Sequence, residues 1–312
     1  MAAHILFVTG KGGTGKSAVA RGLAEAAAAA GRPVALVRMR PAGESEEAGA
    51  SGAKTSGRRP GTPDGPSSRG GQPISSAPKP TRVREVLLDD RGDLEAFLTR
   101  VLRLGFLARR LLDSRTFSAV AAAAPGLRDL VTLTAITTLA ASRPLGRRGL
   151  VVVDAPATGH SVPLLTAPGR VLELAPVGPV ASEARAAHRV VIDPAAFTPL
   201  LVTTPEELAI SEVLSLHDQL REAGVPFPRI VVNGLWPAHV AANDAAKLEA
   251  SGASADALLH LQRRRRQDEL VAQLEARVGE CPKVDFSFVD GSEDDGALSS
   301  TDAHGLYEQV VG

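Results

Sequence analysis

Eight residues near the start of the chain constrain its fold more than any others: Gly10-Lys11-Gly12-Gly13-Thr14-Gly15-Lys16-Ser17. A short apolar run, His4 to Thr9, precedes them, and an Ala-rich run of helical character, Ala18 to Ala30, follows. Strand, glycine loop and helix in that order make a phosphate-cradling loop of the Walker A type. The glycines let successive backbone N–H groups turn inward toward phosphate oxygens, and the helix adds the positive end of its dipole. Gly10, Gly12, Gly13, Thr14 and Gly15 then form the cradle. Lys16 is expected to reach the β- and γ-phosphates, and the Ser17 hydroxyl to ligate Mg²⁺.

Lys11 is a second lysine that an ordinary loop of this kind does not need. It reads either as a solvated surface residue or as a side chain pointing away from its own loop toward a nucleotide on a facing subunit. Further along, Gly149 to Asp154 is a buried-type strand ending in a carboxylate. Asp154 there can hold Mg²⁺ through a coordinated water, which makes it the natural companion of the glycine loop. The loop that follows, Ala155 to Ser161, has the Pro/Gly composition of a segment that rearranges when a γ-phosphate leaves.

The rest of the chain alternates. Pro33 to Val37 is a second strand, Leu200 to Thr204 another, and Pro205-Glu206-Glu207 opens a helix with acids near its positive end. Arg229 to Asn233 is a further strand, whose terminal Asn233 reads as a turn residue or as a partner for a base edge. A polar helical pair spans Ala241 to Val278. Its run Arg263 to Arg266 points around the whole helix and reads as a solvated face. Val284 to Phe288 alternates like a last strand, and an acidic loop leads to a short C-terminal helix. Between the second strand and the Asp154 strand, residues 43–82 are Gly-, Ser- and Pro-rich and are expected to be disordered, with solvated basic residues. Residues 83–148 are expected to form a helical insert, because Leu and Phe recur at three- and four-residue spacing from Asp93 to about Ala141. A stripe this apolar packs on its own domain or offers a groove to a protein client. The nucleotide domain is then 1–42 plus 149–312: an α/β fold with a mostly parallel P-loop sheet and helices on both faces.

Composition narrows the partners. Lys+Arg and Asp+Glu both number 35 in 312 residues, so net charge argues neither for nucleic acid nor for an anionic membrane. The single Cys excludes a disulfide framework within the chain. No apolar run has transmembrane length, and the N-terminus opens directly into the strand and loop without a signal peptide. A cytoplasmic protein without direct membrane insertion is expected.

Together these stretches resemble the ArsA-like ATPases, the family of the arsenite-pump ATPase and of the ATPase that targets tail-anchored membrane proteins. G-K-G-G-T-G-K-S matches that family's deviant P-loop. D-A-P-A-T-G-H-S at Asp154 to Ser161 is similar to its switch II loop, and T-P-E-E-L-A-I-S-E followed by R-I-V-V-N-G-L resembles its later strands. The resemblance implies ATP and Mg²⁺ as ligands, a nucleotide-sandwich dimer that Lys11 crosses, and Asn233 against adenine. It also marks two departures. Arg40 stands where the family's switch I loop carries the Asp that activates the attacking water, and a guanidinium cannot accept a proton. The paired cysteines of the targeting ATPase and the arsenite-sensing cysteines of the pump ATPase are missing, and Cys281 alone can replace neither. Two functions follow as expectations. One is an ATPase acting as a nucleotide-driven dimeric switch that turns over slowly. The other is a nucleotide-sensing, non-hydrolysing subunit or chaperone-like module paired with an unlike ATPase.

Overall fold

The computed structural model describes residues 3–39, 81–88, 90–102, 126–225, 228–237, 254–285 and 298–311. The expected disordered linker, Arg40, the middle of the apolar helical stretch, the first half of the Ala241–Val278 pair and the acidic loop lie outside these residues.

Seven strands form one sheet: β1 (His4–Gly10), β2 (Val34–Met39), β3 (Val83–Leu88), β4 (Leu150–Asp154), β5 (Phe197–Thr203), β6 (Arg229–Leu235) and β7 (Lys283–Asp285). Their order is β3-β2-β4-β1-β5-β6-β7, and every pairing is parallel. The central strands read as unbroken apolar runs because both faces of a parallel sheet are covered. Along β1 the side chains alternate: Ile5 and Phe7 enter one core, Leu6 and Val8 the other.

Eight helices are described: α1 (Lys16–Ala29), α2 (Asp90–Leu102), α3 (Leu127–Ala140), α4 (Thr158–Leu174), α5 (Pro179–Val191), α6 (Glu207–Glu222), α7 (Ala255–Val278) and α8 (Ser300–Val310). Helices α1 and α8 cover the Leu6/Val8 face, and α2 through α7 build the core on the other. Each fully buried side chain of that larger core, Phe7 and Phe197 among them, contributes about 1.5–3 kcal/mol of burial free energy.

One detail differs from the sequence expectation. Val83 to Leu88, counted there with the helical insert, is strand β3, paired in register with β2 from Val34↔Val83 to Met39↔Leu88. Its inward positions are only half-buried, as on an edge strand, so no long apolar run announces it. The apolar stripe of α2 and α3, through Phe97, Leu98, Leu130 and Ile136, joins the same core as Ile5, Phe7 and Val151, so these helices cover the sheet.

Candidate nucleotide site

β1 delivers the glycine loop to the C-terminal edge of the sheet, where open α/β sheets bind their ligands. Gly10 ends β1 level with Val202 of β5, and a Cβ there would lie 2.1 Å from the Val202 carbonyl oxygen. Only glycine fits. Gly13 and Gly15 hold left-handed backbone, at φ 85° and 82°, while a Cβ on Gly12 or Gly13 would meet nothing within 4 Å. The loop therefore curls as its sequence requires and leaves its outer side open. Its turn is closed on one acceptor, the Lys11 carbonyl, which receives the Thr14 hydroxyl (2.9 Å) and the Lys16 ammonium (2.9 Å). Thr14 is buried beneath the loop.

Gly15 caps α1 without any side-chain bond, and no acid occupies the first turn of that helix. The first-turn N–H groups thus face an open loop, an arrangement that binds anions. Burial pushes the Lys16 ammonium below the usual lysine range, and the charge of Asp154 opposes that shift. Ser17 lies exposed in the first turn of α1. Asp154 ends β4, level with Val8 on β1 and Arg38 on β2, and so stands beside the strand that carries the loop. Loop amides, an ammonium, a hydroxyl and a carboxylate are the donor set that a nucleoside triphosphate and a hard cation need, and Mg²⁺ fills its remaining positions with water. Ser17 and Asp154 would hold the metal, with the loop and Lys16 around the phosphates.

Contacts that sequence reasoning missed fix this site. The buried Thr9 hydroxyl bonds the Ser161 hydroxyl at 2.5 Å and donates to the Pro156 carbonyl at 3.2 Å. The loop after Asp154 is thereby pinned to the strand before the glycine loop. Lys11 pairs with Glu212 on α6 (3.2 Å), both side chains about one-third exposed. Within this chain, then, Lys11 has a partner that no spacing pattern revealed, because the two are 201 residues apart. Asn233 donates its amide nitrogen to the Thr14 carbonyl at 2.9 Å and lies against Gly15. The end of β6 is thus fastened to the glycine loop.

Cys281 is buried, and its thiol is pushed up to about 11, chiefly by burial and further by the nearby Glu275 carboxylate. Such a thiol is inert at neutral pH. Among the described residues no group of three or more His, Cys, Asp and Glu could hold a metal, and no helix is long and apolar enough to cross a membrane.

A parallel seven-stranded sheet, a glycine loop leading into α1 and a carboxylate on the neighbouring strand define a P-loop NTPase-like α/β protein. The model of the anion-transporting ATPase family, the ArsA ATPases, matches residues 170–274. ATPase BagA of Mycobacterium tuberculosis is 29% identical over 255 residues, 81% of this chain and 71% of that protein. Proteins with ATPase names from Mycobacterium bovis and from a second M. tuberculosis strain match at the same 29% over 255 residues. The family match begins beyond the Asp154–Ser161 loop. The resemblance to the ArsA-like ATPases therefore stands on the second half of the chain independently of the loop motifs.

Proposed function

We propose that the chain binds Mg-ATP in the Gly10–Ser17 loop, hydrolyses it slowly and acts as a nucleotide-driven dimeric switch. The observation that carries the reading is the open glycine loop on β1, with Lys16 and the α1 N-terminus beside Asp154. Lys16 neutralises phosphate charge, and Ser17 and Asp154 hold the cation. The pairing of Lys11 with Glu212 is exposed and worth about 0–1 kcal/mol, so a nucleotide on a facing subunit can take Lys11 from it at little cost. A homodimer, or a heterodimer with a related ATPase, completes the site. A protein client on the helices of the insert is the corresponding cargo.

Arg40 favours a second reading, a nucleotide-sensing subunit that does not hydrolyse. It directly follows β2, at the position where the resembled family places its water-activating carboxylate. Losing a general base costs roughly 10²–10⁴-fold in rate. An ATPase assay on the purified chain, alone and as Arg40→Asp, tests slow turnover. The expected result is a low wild-type rate that Arg40→Asp raises. A brisk wild-type rate that survives removal of Glu44, Glu46 and Glu47 contradicts it.

A further inference from the structure

We infer that Trp236 and Arg263 form a stacking platform for the base of the bound nucleotide. This rests on the nucleotide-binding reading above and adds to that site a hold on the face of the base. Asn233 has one amide N–H committed to the Thr14 carbonyl, which leaves its second N–H and Oδ1 for a base edge and nothing for the face of the base. A group further along the same edge of the sheet can hold that face.

Trp236 is three residues beyond Asn233, which places its Cα within about 11 Å of the Asn233 Cα. One stripe of α7 converges on it: His260, Arg263, Arg264 and Gln267, at the i, i+3, i+4 and i+7 positions of a single helix face. The buried Gln267 accepts from the Trp236 backbone N–H at 2.9 Å, and Arg264 donates to the Trp236 backbone carbonyl. The His260 ring meets the indole edge-on, with centroids 5.2 Å apart and planes at 72°, and its Nε2 donates to the Pro237 carbonyl at 2.9 Å. The Arg263 guanidinium lies over the indole, 4.7 Å from the ring centroid.

A helix face turned toward its own domain is ordinarily apolar. Here four polar side chains fix one half-buried tryptophan, and the outermost of them is a planar cation whose side chain remains exposed. Guanidinium and indole planes are the surfaces on which nucleobases stack, and such stacking holds a base without reading its edge. The arginine run, which by sequence reads as solvated, acquires a purpose: Arg263 stacks, Arg264 orients the tryptophan, and Arg266 braces α7 on Glu207 of α6.

The chain has one tryptophan, so its intrinsic fluorescence reports on Trp236 alone. ATP and inorganic tripolyphosphate are titrated into the full-length wild type and into Arg263→Ala and Arg263→Lys, following emission and, by calorimetry, affinity. Melting temperatures confirm that each variant folds. ATP is expected to change the emission where tripolyphosphate does not. Arg263→Ala is expected to weaken ATP roughly tenfold, leave tripolyphosphate unaffected and resist rescue by lysine, which keeps the charge and loses the plane. ATP that binds with unchanged emission and wild-type affinity for Arg263→Ala overturns the platform and leaves the nucleotide site standing. Equal losses for both ligands also overturn it, since they indicate charge alone. A wild type that binds neither ligand overturns the nucleotide reading itself.

Discussion

At the scale of single residues, Gly15 meets two demands at once. It holds φ 82°, and a Cβ would lie 2.2 Å from the Asn233 amide nitrogen. Gly15→Ala must therefore bear the left-handed conformation, about 1–2 kcal/mol, and also displace Asn233 from the loop. The expected outcome is weaker Mg-ATP binding and a lower melting temperature. Asn233→Ala should reproduce much of the binding loss with less loss of stability. At the opposite end of β1, His4 is held between the Ala195 carbonyl, to which Nδ1 donates at 3.1 Å, and the Thr198 hydroxyl, 3.0 Å from Nε2. Burial keeps its imidazole below a histidine's ordinary value near 6.5, and the charges of Arg32 and Arg229 add to that shift. The folded chain therefore resists a proton that the unfolded chain accepts. This contribution to stability is complete above pH 6.5 and declines as pH falls through the depressed value. Between pH 7 and 5 the wild-type melting temperature should fall more steeply than that of His4→Gln; parallel slopes would contradict the assignment.

At the scale of elements, what sequence could and could not disclose separates cleanly. β1, β4 and β6 are central strands covered on both faces, so their apolar runs are long and easily read, and the loop between β1 and α1 carries its geometry in its glycines. β3 escaped notice because an edge strand needs no such run. Glu212 and the Thr9–Ser161 bond escaped because they join residues far apart in the chain that only the fold brings together. Trp236 gave one usable sign, a lone tryptophan directly after a strand, beside an arginine run that local rules assign to solvent. Helix α4 opens with a turn whose hold comes from side chains more than from its own backbone. Pro163 and Pro168 lie inside the helix, and without an N–H the first cannot bond the Gly159 carbonyl, so the buried Ser161 and its bond to Thr9 hold the opening turn. Helix α6 carries the corresponding test for Lys11. Lys11→Ala should reduce ATP-dependent dimerisation and spare nucleotide binding, whereas Glu212→Gln should preserve or increase dimerisation by releasing Lys11. Light scattering that finds a monomer with and without a non-hydrolysable ATP analogue contradicts both expectations.

At the scale of the whole molecule, one sheet brings every candidate group to a single edge: the loop from β1, Asp154 from β4, Asn233 and Trp236 from β6, with α6 and α7 behind them. That convergence explains how residues spread over more than 200 positions can serve one ligand. Phosphate capture by the loop is the central claim of the proposed function. Calorimetry of Mg-ATP binding to the wild type and to Lys16→Ala measures this most directly. Lys16→Ala removes one bond to the Lys11 carbonyl, and a melting temperature checks that the variant folds. The expected result is a folded variant that binds Mg-ATP at least tenfold more weakly, about 1.4 kcal/mol or more. Equal affinity for the two proteins would contradict the assignment of the nucleotide to this loop.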